Sequence, residues 1–365
     1  MAKTVYVVGA GINMVVRHAT RGIRPPLARN FFRELHAGLG KGEITRIFDE
    51  NAQLYDYIKH YWKLDRHDLS TVYFDLEECF TLLEQHEKDA ERREDCADSY
   101  GLRVIKGQLT ALLAGLLDEI SANHPPEEGL SPLARRVLDE GAAIVTFNYD
   151  TLLEQAVIAE SAYRRTPWDP VPAYAAPFDV FERRDGEPSL ADFRSFRFPL
   201  QAHAAPFLKL HGSLNWFRYT GGPPNPASGV RKRHERLGQT LVRPVGSTGV
   251  RPKIGNTFMM TDGTLLEKLV VTPVLNKDVD REPFAHVWRR AKEEMRGCER
   301  LVVGGYSFPP SDFATLRLFL ESFAGGPPDE LVVLNPDTSV VQRVKNLCHF
   351  ERPVSVCTSL DEYLA

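Results

Sequence analysis

Residues 142–161 read AAIVTFNYDTLLEQAVIAES. A short apolar run through Ile144, Val145 and Thr146 is followed at once by Asn148, Tyr149 and Asp150, and then by apolar positions at helical spacing. The first part predicts a strand buried on both faces and the last part a helix. Strand, tight turn and helix in that order mark a parallel sheet covered by helices. An amide and a carboxylate at the carboxyl end of a core strand have a further meaning. In open sheets of this kind ligands bind beyond that edge.

Working outward, other runs repeat the pattern. TVYVVGAGI (4–12) is a first strand entering a glycine turn, and PFLKLHGSLNW (206–216) a strand running into His211 and Gly212. KLVVTPV (268–274) is a further strand, and ERLVVGGYSF (299–308), DELVVLNPD (329–337) and VSVC (354–357) follow it. Residues 26–125 carry apolar positions three and four apart and predict a mostly helical insertion. In SPLARRVLDEG, Ser131 is the expected N-cap, Pro132 the first helical residue and Gly141 the stop. Residues 160–206 and 220–262 are expected to be loop-rich insertions, and the basic run Arg231 to Arg236 a solvated loop face. The whole chain, 1–365, reads as one domain.

Composition limits the function classes. The 365 residues are 43% hydrophobic and 26% charged, with a formal charge of −4, so nothing predicts nonspecific nucleic-acid binding. The five cysteines are odd in number and lack C-x-x-C spacing, which argues against a disulfide framework or a zinc ribbon. A reducing cytoplasm is the simplest compartment. MAKTVYVVGAG is a strand and a turn rather than a leader, and no apolar run approaches the roughly 20 residues of a membrane helix.

The predicted strand ends collect Gly9, Gly11 and Asn13; Asn148 and Asp150; His211 and Gly212; Gly305 and Ser307; Asn335 and Asp337. Singly, each fits a plain turn or a helix cap. Together they predict a shared ligand crevice. Several chemistries are disfavoured. GAGINM has Met14 where a dinucleotide fingerprint has its third glycine, and no acidic strand end follows at the expected distance. His203 and His211 are too far apart for a HExxH site, there is no G-x-S-x-G elbow, and GGYSFPPSD lacks the lysine of a phosphate loop.

The set GAGIN (9–13), TFNYD (146–150), LHG (210–212), GGYSFPPSD (304–312) and VLNPD (333–337) resembles, in order and spacing, the nucleotide site of the sirtuin family. HGSLNW, with VTPVLNK and GYSFPPSD later, resembles the bacterial sirtuin-like branch of antiphage defence proteins more than the deacetylases. The resemblance implies an α/β fold, a Rossmann-like parallel sheet flanked by helices. The four-cysteine zinc module of the deacetylases is missing. RGIRPPLARNFF (21–32) keeps Gly22 and Ile23 but not the family's following Asp and Phe, and both departures fit a branch that hydrolyses NAD.

The resemblance implies residue roles as well. Asn148 would orient a water and the ribose hydroxyls, and His211 would act as general base. Asp150 would hold the nicotinamide amide or the asparagine loop. Gly9, Ala10, Gly11, Asn13, Gly305 and Ser307 would line the NAD site, with the glycines and Ser307 around the pyrophosphate. Asn335 would bond the adenine ribose, and Asp312 would serve as a loop or helix cap. No metal is expected. The implied activity is NAD glycohydrolysis by a homo-oligomeric defence effector, with a HerA-type hexameric ATPase as a possible partner. A protein deacylase and an NAD- or ADP-ribose-sensing module are the alternatives.

Overall fold

The computed structural model describes residues 3–39, 46–47, 49–124, 129–165, 167–181, 193–195, 205–221, 240–242, 245, 257–259, 265–272, 279–309 and 312–365. His203 and the basic run Arg231 to Arg236 lie outside these residues. The described strands are β1 (Thr4–Val8), β2 (Ala143–Thr146), β3 (Asp179–Phe181), β4 (Phe193–Ser195), β5 (Phe207–Lys209) and β6 (Gly212–Gly221). They continue with β7 (Thr240–Val242), β8 (Thr257–Met259), β9 (Leu265–Val270), β10 (Arg300–Gly304), β11 (Glu330–Leu334) and β12 (Ser355–Cys357).

Six of them form one parallel sheet in the order β12-β11-β10-β1-β2-β5. The chain starts in the middle at β1, steps outward through β2 and β5, and later returns to the other side of β1 as β10. It then steps away through β11 and β12. This is the Rossmann-like doubly wound order, and its direction reverses between β1 and β10. The central strands are buried throughout, as in Val5, Val7, Ile144, Val145, Leu301 and Val303, because helices cover both faces.

The crossover from β1 to β2 carries the helical layer. Its long members are Leu76–Arg92 and Cys96–Ala122, capped by the carboxylates of Asp75 and Asp95, which accept from the amides of Glu77 and Asp98. Helix Ser131–Glu140 begins one residue earlier than its sequence predicts. Leu130 occupies the N-cap, so Ser131 is already helical and offers no cap, and Gly141 closes the helix at φ +56°.

A second sheet, β4-β3-β7-β6-β9-β8, is mostly antiparallel. Short strands β3, β4, β7 and β8 fall within the stretches whose composition reads as loop. The strand predicted to end at His211 and Gly212 is β5, in the first sheet, and a further strand, β6, begins at Gly212 in the second, with Leu210 and His211 at the joint. Gly212 makes the joint possible. Its φ is +82°, and a Cβ there would lie 2.1 Å from the Leu269 carbonyl oxygen.

Candidate nucleotide site

Two glycine turns meet where the strand order reverses. Gly9 N donates to Gly304 O at 3.0 Å, Gly11 N to Gly305 O at 2.8 Å, and Gly305 N to Leu334 O at 3.0 Å. A Cβ on Gly305, whose φ is +63°, would sit 2.2 Å from Ile12 N, and one on Gly9 would sit 2.8 Å from Gly305 O. The glycines therefore let the loops after β1 and β10 pack backbone against backbone. Their amides are engaged inside the fold rather than presented to a phosphate. Ala10 opens the 3-10 helix Ala10–Val15 and has no carbonyl within that helix to bond, so its amide is the donor this turn leaves. Gly305→Ala is expected to push the two loops apart and lower stability by at least about 2 kcal/mol. Urea unfolding checks this, and an unchanged midpoint would mean the turns do not touch.

Asn13 is the fourth residue of that helix and is buried. Its Nδ2 donates to Asp150 Oδ2 at 2.7 Å, joining the tips of β1 and β2. Its Oδ1 is buried with no hydrogen-bond partner among the described residues. Asp150 also accepts from Leu152 N at 3.1 Å, so it supports the start of helix Leu152–Tyr163 although Thr151 holds the N-cap position. Asn148 is half-buried. Its Nδ2 donates to Gly9 O at 3.2 Å, which fixes the amide plane and leaves Oδ1 as the outward end.

A charged pair lies beneath this loop. Lys209 Nζ donates to the backbone carbonyl of Asp150 at 2.5 Å and to Glu154 Oε1 at 2.7 Å. Tyr174 donates to the same Glu154 oxygen at 3.4 Å, and Asn215 Nδ2 donates to the Tyr174 hydroxyl at 3.3 Å. Burial pushes the carboxyls of Asp150 and Glu154 up, against the pull of the Lys209 ammonium. Lys209 and Glu154 were not anticipated from sequence. The signal was present in FLKL (207–210), where a lysine interrupts an otherwise apolar buried strand.

His211, at the joint between the sheets, is buried. Its ring centroid is 5.1 Å from Phe147 and 6.3 Å from Tyr149, the two residues that flank Asn148, and 6.5 Å from Trp288. Trp288 Nε1 donates to Leu210 O at 2.9 Å, and His211 O accepts from Val271 N at 2.8 Å, so the backbone on both sides of the imidazole is tied down. His211 Nε2 stands 3.4 Å from Asp312 Oδ2.

The loop after β10 adds Ser307, exposed between buried Tyr306 and Phe308. Asn335 is buried, donating to Tyr306 O at 3.1 Å and accepting from Asp337 N at 3.0 Å. It thereby fastens the end of β11 to the loop after β10. On the opposite flank the end of helix Cys96–Ala122 approaches Asp150. Gln155 Nε2 donates to Ser121 O at 3.2 Å, and burial lowers the pKa of His124 against a smaller opposing effect from Asp150. A small apolar pocket adjoins Tyr149, lined by Phe80, Leu113, Ala114, Leu214 and Val270 among others.

The structure thus joins Asn13, Asn148, Asp150 and His211 through direct contacts or shared neighbours. It places the glycine turns beside them and Asn335 behind the loop after β10. Among the described residues no group of three or more His, Cys, Asp or Glu is arranged to hold a metal ion. All five cysteines are free thiols. No described helix is long and apolar enough to cross a membrane.

No family model matches the chain, and no curated protein matches it. Among solved structures it is similar to a mutant Sir2 homologue in complex with 2'-O-acetyl ADP ribose. The two share 15% sequence identity over 94% of this chain and 84% of that one, with a TM-score of 0.37.

Proposed function

We propose that the protein cleaves NAD at the nicotinamide–ribose bond, releasing nicotinamide and ADP-ribose. The observation that carries this reading is the pairing of an oriented, half-buried amide with a buried imidazole at the carboxyl edge of the parallel sheet. Gly9 O holds the NH2 end of Asn148, so its Oδ1 can accept from a ribose hydroxyl or a water. The His211 ring packs on both neighbours of Asn148 and can take a proton from the same water or hydroxyl. Nicotinamide departs as a neutral molecule, so the leaving group needs no general acid. What remains is to place the nucleophile and stabilise positive charge on the ribose.

Asp150 is already bonded to Asn13 and to the Leu152 amide, so its part is to shape the loop. The buried Asn13 Oδ1 is an acceptor without a partner among the described residues. At the glycine turns the Ala10 amide and the exposed Ser307 hydroxyl are the donors available to the diphosphate. Asn335 supports this surface from behind, since both ends of its amide are bonded within the fold.

The motif resemblance extends the proposal to a cytoplasmic, NAD-depleting antiphage effector. It would be regulated through self-assembly or through a partner such as a HerA-type ATPase. Incubating the purified protein with NAD alone tests the activity. Nicotinamide and ADP-ribose are expected to appear in equal amounts by chromatography. Release only when an acyl-lysine peptide is added would replace the proposal with a deacylase. Tight NAD binding without turnover, also in the presence of candidate partners, would replace it with a sensing module.

A further inference from the structure

We propose that Asp312 is the positioning residue for His211. Its carboxylate holds the imidazole by Nε2, sets the ring's plane and tautomer, and so places the ring's lone pair on Nδ1. The inference rests on the NAD-cleavage reading for its consequence in turnover, but its geometry stands apart from that reading.

Asp312 is 2% exposed, and both of its oxygens are engaged. Oδ1 accepts from Thr315 N at 3.2 Å, which makes Asp312 the N-cap of helix Phe313–Phe323. Oδ2 accepts from the Tyr306 hydroxyl at 2.5 Å and lies 3.4 Å from His211 Nε2. A helix cap accounts for the first contact only. Ser, Thr or Asn would cap as well, and none of them carries a charge. The other two contacts bring its second oxygen against a hydroxyl and an imidazole in a buried setting.

Two features favour the charge on Asp312 against the cost of burying it. The N-terminus of the helix stabilises an anion. Burial and the neighbouring carboxylate keep the Tyr306 hydroxyl protonated, so it remains a donor. The pair is also walled by aromatic rings: Tyr306 stacks on Phe147 at 4.0 Å and 21°, and Phe147 packs on His211. With solvent thinned around it, the carboxylate acts on the imidazole more strongly than it would in water. A carboxylate acceptor can receive only from a protonated nitrogen, so Nε2 carries the hydrogen in the neutral ring.

The test uses Asp312→Asn, which keeps a capping side chain and removes the charge, and Asp312→Ser as a second capping variant in case the first folds poorly. The 15N spectrum of the histidine-labelled protein reports the ring directly. In the parent, His211 is expected to show a protonated Nε2, and in the variants its two ring nitrogens are expected to change shift as the tautomer balance changes. Turnover is expected to fall roughly 100- to 10,000-fold with KM within about threefold. Unchanged His211 ring signals in either folded variant would overturn the proposal, as would full turnover. A parent that shows the expected ring signals but releases no nicotinamide would reject the NAD-cleavage reading and leave the His211–Asp312 assignment standing.

Discussion

His211→Ala is expected to lower NAD turnover by roughly 100- to 10,000-fold, the usual contribution of a general base. Asn148→Ala is expected to lower it by roughly 100- to 1,000-fold, as for one preorganised polar contact. The two differ in their structural cost. Asn148 is half-buried, and among the described residues its side chain donates one bond, to Gly9 O, so its truncation should leave the unfolding midpoint nearly unchanged. His211 is packed among Phe147, Tyr149 and Trp288, so its loss opens a cavity and should cost about 1–3 kcal/mol. Turnover is therefore to be compared at a temperature where circular dichroism shows both variants folded. Parent-like nicotinamide release by either folded variant removes that residue from the mechanism.

Glu154→Ala is expected to be the most destabilising single change of the site, by about 3–5 kcal/mol. Lys209 has no exposed surface, and Glu154 supplies its compensating charge at 2.7 Å. Without that carboxylate the ammonium keeps its direct bond to the Asp150 carbonyl, a neutral partner, and the more distant pull of the Asp150 carboxyl. Glu154→Gln keeps an acceptor and should cost less. The double change Glu154→Leu with Lys209→Met removes both charges together and should recover much of the loss. Urea unfolding of these proteins checks the ordering. A Glu154→Ala protein within about 1 kcal/mol of the parent would mean that the pair is not desolvated. The Lys209–Asp150 contact adds a functional readout, because the loop it holds is the one that carries Asn148.

The site was only partly legible in the sequence. Asn148, Asp150 and His211 stand at ends of apolar runs, and apolar runs are recognisable locally. Asp312 looked like a cap and is one, but its second oxygen faces a histidine from a distant segment, which no window around residue 312 can reveal. The glycines carried a similar ambiguity. GAG and GG both announce tight turns, yet a turn looks the same whether it faces a phosphate or another turn. Here Gly11 and Gly305 face each other.

Alternating or continuous hydrophobicity along short stretches was sufficient to determine a parallel α/β sheet, a helical layer between its first two strands, and which residues stand at the strand ends. These follow from local periodicity and turn chemistry. The tertiary structure decided which ends meet. Asn13 and Asp150 are 137 positions apart, and Lys209 and Glu154 are 55 apart, and both contacts exist because β1, β2 and β5 lie side by side. It also decided that one apolar run should turn at Gly212 and serve two sheets, leaving His211 at the joint. Strand order and such breaks are set by how whole faces are buried against one another, a property of the assembled chain that no single segment contains.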